Sequence, residues 1–213
     1  ETIESVRDHG VLVPALVREK PTGGYEMISG HRRKMASELA GKETMPCIVR
    51  NLSDDQAVIV MVDSNLQREE ILPSEKAFAY KLKMEALSHQ GTSRQLGEKW
   101  SVSQISESSN ESERQIHRYI RLTNLIPELL EFMDEGKMAL SVGVELSFLD
   151  EQSQRNVLEQ CEINDCTPSY AQAVRMRKAF SNFALTADMI RSIMSEEKAN
   201  QRETVKIPTE KLR

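Results

Sequence analysis

Three consecutive cations, Arg32, Arg33 and Lys34, follow a single glycine in the run Ile28-Ser29-Gly30-His31-Arg32-Arg33-Lys34-Met35-Ala36. This pattern can hold a polyphosphate. A helix starting after Gly30 offers unpaired backbone N–H groups and the positive end of its dipole. The glycine lets the backbone come close to a ligand, and guanidinium groups fork onto phosphate oxygens. The same residues also fit a solvated basic helix start, so the turn alone leaves both readings open.

A second set of residues could read DNA. Ser112 is a good N-cap, and Arg114, Gln115, His117, Arg118 and Arg121 follow it. Arg114, Arg118 and Arg121 recur at helical spacing and share one face. Arg and Gln are the side chains that pair bidentately with guanine and adenine edges, and a recognition helix presents them from its N-terminal half. Asn110 stands where a helix-turn-helix needs a left-handed residue. An arginine-rich solvated helix is the bland alternative. Arg175, Arg177 and Lys178 form another basic group, read as a solvated face.

The elements that must position these residues follow from periodicity and punctuation. Thr2 to His9 reads as a short helix closed by Gly10. Val11 to Arg18 and Tyr25 to Ile28 read as strands around a Gly23-Gly24 turn, with Pro14 suggesting an edge or a bend. The cationic helix runs to Ala40 and is expected to bury Met35, Ala36 and Leu39. Pro46 to Arg50 reads as a third strand, with Cys47 buried in it. Ser53-Asp54-Asp55-Gln56 is a capping box that starts a helix ending in the polar cluster Asp63-Ser64-Asn65-Leu66-Gln67-Arg68.

After Pro73 the texture becomes helical throughout. Pro73 to His89 carries one apolar stripe through Ala77, Tyr80, Met84 and Leu87. Leu96 and Trp100 belong to a linker or short helix, with Trp100 as a core anchor. Ser103 to Ser109 and Ser112 to Leu125 are the two helices of the helix-turn-helix. Helices follow from Pro127, then at Leu140 to Leu149, Asp150 to Cys161, Thr167 to Phe180 and Thr186 to Met194, with Asp150, Thr167 and Thr186 as caps and Pro168 at N1.

These elements predict an α+β chain. Residues 1–70 form a small mixed α/β domain, 71–195 an all-helical domain containing a helix-turn-helix, and 196–213 a polar linker. The 213 residues suffice for one or two cores. Three scattered cysteines give no disulfide framework and no zinc spacing, which suits a reducing compartment. No apolar run is long enough for a membrane span and no signal-peptide pattern opens the chain. The opening at Glu1 within a helical pattern suits a piece cut from a longer chain. The net charge of -5 excludes a general nucleic-acid coat but not a local basic face.

In order, the chain shows Gly10-Val11-Leu12-Val13-Pro14-Ala15-Leu16-Val17-Arg18, Gly30-His31-Arg32-Arg33, Asn65-Leu66-Gln67-Arg68-Glu69 and the Ser112 to Leu122 helix. This series resembles the ParB family of chromosome and plasmid partition proteins, over about residues 1–195. It looks closest to the branch on plasmids and integrated conjugative elements. The resemblance implies a cytoplasmic, nucleoid- or plasmid-associated homodimer that binds a palindromic centromere-like site on double-stranded DNA. It implies CTP-gated clamp closure with slow CTP hydrolysis, and a ParA-type ATPase as partner of the full-length protein.

By the same resemblance, Pro14 to Arg18 lies by the cytosine and ribose. Ser29, Gly30, His31, Arg32 and Arg33 lie on the triphosphate, and Asn65 lies on Mg2+ with Arg68 nearby. The family usually carries Glu where this chain has His31 and Ser64. Magnesium is poorly served by those replacements, so nucleotide binding is expected and hydrolysis little. Asp63 could substitute for the lost acid, but one helical residue turns it about 100° away. The competing readings are a ParB-fold repressor that ignores nucleotide, a ParB-fold nuclease and a sulfiredoxin-like reductase. The acids for two metals are scarce, and Gly30 precedes a histidine where the reductase needs a cysteine.

Overall fold

The computed structural model describes residues 2–68, 70–89, 94–109 and 111–196, without the side chains of Thr2 and residues 94–101. Asn110 and the Trp100 side chain therefore lie outside the described residues. The chain divides into two compact units, Glu1–Ile120 and Arg121–Arg213.

The first unit begins with α1 (Thr2–His9), followed by β1 (Ala15–Glu19), β2 (Tyr25–Ser29), α2 (His31–Leu39), β3 (Cys47–Val49) and α3 (Asp54–Leu66). The sheet order is β2-β1-β3. β1 pairs antiparallel with β2, with Val17 opposite Met27 and Arg18 opposite Glu26, and parallel with β3, with Ala15 opposite Cys47. β1 is thus the central strand, not an edge. Pro14 is compatible because it sits one residue before the strand, where its missing N–H removes no ladder bond. Inward residues Ala15, Val17 and Ile28 form the core of the sheet, joined by Ala36, Ala57 and Val62 from the helices.

Two burial expectations fail here. Met35 and Leu39 are 65% and 60% exposed, and α2 buries only Ala36 and Ser37. The helix is short and small-faced, so its apolar side chains outnumber the positions that meet the sheet. Cys47 is exposed, because β3 is a three-residue edge strand.

α4 (Pro73–His89), α5 (Arg94–Ser109) and α6 (Glu113–Leu122) complete this unit, which ends inside the last turn of α6. Tyr80, Val102, Ile105 and Ile116 form a buried cluster, with Leu66, Met84, Leu87, Tyr119 and Ile120 packed on it. Leu66 ends α3, so this core joins the α/β part to the helices. That is why the compact unit runs well past residue 70, the boundary read from the change of texture. α5 is longer than the expected Ser103 to Ser109 helix, and α6 ends earlier than Leu125.

The second unit holds α7 (Pro127–Asp134), α8 (Leu140–Leu146), α9 (Glu151–Asn164), α10 (Tyr170–Ser181) and α11 (Ala187–Met194). Leu129, Leu146, Val157, Met176, Ile190 and Ile193 are its buried centre. Gln154 is buried but satisfied: its Oε1 accepts from Ile126 N at 2.8 Å, and its Nε2 donates to Asn124 O and Leu149 O, both at 3.0 Å. Asp150 and Thr186 cap as expected. α10 is instead capped by Ser169, with Gln172 closing a capping box, while the Thr167 hydroxyl bonds Lys137 O.

Candidate nucleotide cavity and nucleic-acid helix

The Gly30 turn is built by sterics. Gly30 has φ 114°, a left-handed value that L side chains rarely adopt. A Cβ there would also stand 2.7 Å from the Ala15 Cβ. The turn presses on the central strand, so only glycine fits. No side chain caps α2, and its first N–H groups are free to meet an anion.

Around this helix start lies a cavity of about 190 Å³ lined by Ile28, Ser29, Gly30, His31, Arg32, Arg33, Met61, Ser64, Asn65 and Arg68. Two segments more than thirty residues apart, the glycine turn and the end of α3, thus meet at one site. The Ser29 and Ser64 hydroxyls share a hydrogen bond at 2.8 Å across it. His31, Arg32, Asn65 and Arg68 are exposed. Arg33 does two things. It lines the cavity, and its Nη1 donates to Val13 O at 2.6 Å and Pro14 O at 2.7 Å. Pro14 is therefore tied to the cavity through its carbonyl, although it does not line it.

Arg18 is placed differently. Its Nε bonds Glu26 at 2.5 Å, and its Nη1 bonds Asp54 Oδ1 at 2.7 Å and Leu52 O at 3.2 Å. These carboxylates, Glu26 before Asp54, hold its pKa above the ordinary arginine value. The structure gives Arg18 a bracing role between β1, β2 and the start of α3.

The donor set of the cavity suits a polyphosphate and not a magnesium ion. Among the described residues lining it there are three arginines and no carboxylate. Magnesium wants octahedral oxygen donors and usually one or two carboxylates beside the phosphates. Asn65 offers a single amide oxygen. Asp63 does not replace the missing acid. It turns to Lys83, which is 5% exposed and also donates to Ser108 Oγ at 2.9 Å. Among the described residues no group of His, Cys, Asp and Glu is arranged to hold a metal. Sequence reasoning did not find the Lys83–Asp63 pair. Its signal was a lysine three residues after Tyr80, on the apolar stripe itself.

α6 presents the other candidate set. Ser112 Oγ accepts from Gln115 N at 3.2 Å and caps the helix. Ile116 is fully buried, which fixes the helix rotation and leaves Arg114 and His117 exposed. Arg118 Nη1 donates to Gln115 Oε1 at 3.0 Å, so the two side chains hold one another in place. Glu111, before the cap, is paired with Lys76, whose ammonium lies 4.8 Å from the Tyr119 ring centroid. Burial is the largest single influence on Lys76 and disfavours its charge, but the Glu111 bond together with the nearby Tyr119, Tyr80 and Glu111 charges raises the pKa on balance.

Arg121 leaves this face. It belongs to the second unit, where its guanidinium lies 3.7 Å from the Phe148 ring centroid and that of Arg177 lies 3.5 Å from it. Burial, with Arg177 as the second cause, lowers its pKa. The spacing that put Arg121 with Arg114 and Arg118 is satisfied by packing. The second basic group is also engaged: Arg177 pairs with Glu145 and Arg175 with Glu196, leaving Lys178 exposed.

A three-stranded α/β unit with a cationic cavity is followed in the same compact unit by the helices α4, α5 and α6. Residues 1–66 match the family model of the ParB N-terminal domain. The chromosome-partitioning protein Spo0J of Thermus thermophilus is 30% identical over 183 residues, covering 85% of this chain and 62% of that protein. Stage 0 sporulation protein J of Bacillus subtilis is 33% identical over 162 residues, covering 75% of this chain and 52% of that protein. The C-terminally truncated chromosome-partitioning protein ParB of Caulobacter crescentus, solved on its centromeric parS site, aligns with a TM-score of 0.50 at 21% identity. That alignment covers 90% of this chain and 86% of that one, and it shows the shared fold. The chain belongs to the ParB family. It spans between 52% and 62% of the length of the two partition relatives.

Proposed function

We propose that this chain is the nucleotide- and DNA-binding part of a partition protein, closing as a homodimeric clamp on a palindromic centromere-like site when CTP is bound. The observation that carries the nucleotide half is the convergence of Ser29 to Arg33 with Ser64, Asn65 and Arg68 on one cationic cavity at an uncapped helix start. Phosphate oxygens would take the α2 N–H groups and the guanidinium forks of Arg32 and Arg68. Arg33 would contribute charge while holding Val13 and Pro14. The choice of cytosine rests on the family likeness.

The DNA half rests on α6. Arg114, Gln115 and Arg118 stand at the N-terminal half of a capped helix, where base edges are read. Ser112 caps it, and its hydroxyl would be a donor for a backbone phosphate. Arg121 is stacked on Phe148. A two-fold dimer and a palindromic site imply each other. Water activation would be weak, because no described carboxylate lines the cavity to serve as a base. A ParA-type ATPase is the partner proposed for the longer protein. The proposed place of the protein is the nucleoid or a plasmid; no described helix is long and apolar enough to cross a membrane.

Differential scanning fluorimetry with CTP, ATP, GTP and UTP tests this reading. CTP alone should raise the midpoint of the first unit. A protein that binds its DNA site but shifts with no nucleotide is a repressor of the same fold.

A further inference from the structure

We propose that the cavity holds the nucleotide's phosphates on guanidinium groups in place of a metal ion, so that binding does not depend on magnesium. This rests on the nucleotide reading above. Arg32, Arg33 and Arg68 reach the cavity from two elements, α2 and the end of α3, and no described lining residue carries a negative charge. Asp63, the nearest acid on α3, is drawn away by the buried Lys83. At the position beside Asn65 the chain has Ser64, whose hydroxyl is occupied by Ser29 at 2.8 Å. A divalent cation entering here would find one amide oxygen and the ligand's own phosphates, facing three positive charges. Its hydration shell would be exchanged for repulsion. The arginines already do what the ion would do: they neutralise the phosphates and fix their positions.

Acids at positions 31 and 64 would restore a metal requirement. His31 and Ser64 both line the cavity, and carboxylates at both positions would place negative charge against the phosphates. Magnesium would then be needed to bridge them. His31 is exposed at the first turn of α2, where an acid favours the helix, and Ser64 is exposed near the end of α3. The His31→Glu/Ser64→Glu variant should therefore fold, which its thermal midpoint will show.

Isothermal titration of the whole chain with CTP, in EDTA and in magnesium at matched ionic strength, tests both statements. The expected result is the same affinity in both buffers, within about threefold, and loss of at least about tenfold in EDTA for Arg68→Ala. The His31→Glu/Ser64→Glu variant should lose about tenfold or more in EDTA and recover in magnesium. Native binding that is tenfold tighter with magnesium overturns the inference but keeps the nucleotide reading. Equal binding by the double variant in both buffers overturns it too. If the native chain binds CTP in neither buffer, the nucleotide reading falls and takes the inference with it.

Discussion

Arginines crowd in two places in this molecule, and the two crowds are held in different ways. At the Gly30 cavity, Arg32 and Arg68 stand exposed on the wall, and Arg33 donates to the Val13 and Pro14 carbonyls. At Phe148, Arg121 and Arg177 lie on the aromatic ring at 3.7 and 3.5 Å, with Ser147 O and Glu145 completing their contacts. One group lines a void, while the other is stacked on a ring, with the Arg121 Nε buried and without a hydrogen-bond partner. Residue type and spacing looked alike in both. The partners decide which cations are available to a ligand.

The sharpest way to break this comparison is to remove the turn that creates the void. Gly30→Ala combines a left-handed backbone with a Cβ 2.7 Å from that of Ala15. The cost should be about 2–5 kcal/mol, from strain and overpacking together. Urea denaturation will read it, and CTP binding should vanish with it. If the variant keeps native stability, the close approach of α2 to β1 is not what shapes the cavity.

The next effect separates two arginines on one helix. Arg118→Ala should weaken specific DNA binding by about 1–3 kcal/mol and relax base preference. Arg121→Ala should leave base preference unchanged. It removes one side of the Phe148 stack and should lower stability by roughly 1 kcal/mol, less because its neighbour Arg177 is also cationic. A mobility-shift series over altered sites reads the first effect, and thermal melting reads the second. If the two variants relax preference equally, Arg121 does reach the DNA and the contrast drawn here collapses.

Much of this was legible beforehand. The glycine turn, the Ser53 capping box, the apolar stripe of α4 and the Ser112 cap each have a local cause that sequence displays. What escaped was set by tertiary partners. Met35 and Leu39 look like a helix core face but find no surface to cover them. Arg18 is paired with Glu26 and Asp54, which are eight and thirty-six positions away. Lys83 looks like a surface lysine and is buried against Asp63. Each depends on which element packs where, and a periodicity count carries no such information.

The smallest effect concerns helix starts. α2 begins at Gly30 with no side-chain acceptor, whereas α9 begins at Asp150, whose Oδ1 accepts from Ser153 N at 2.8 Å. The Ser153 side-chain hydrogen bond, and after it this backbone bond, hold the Asp150 carboxyl below its ordinary value of 3.8. A carboxylate with a lowered folded-state pKa adds stability that is present above the unfolded value. It is lost as pH falls through the folded value. Asp150→Asn keeps a capping oxygen but removes the charge, so it should cost a few tenths of a kcal/mol at pH 7. The gap to the native chain should narrow as the pH drops below 3.8. Paired urea titrations at neutral and acid pH measure this. The built-in anion of α9 needs no ligand, and α2 has none of its own. A nucleotide should therefore stabilise the first unit as its concentration rises above Kd, while the acid-side behaviour set by Asp150 in the second unit stays where it was. A change in that acid limb on adding CTP would mean the two helix starts are not independent.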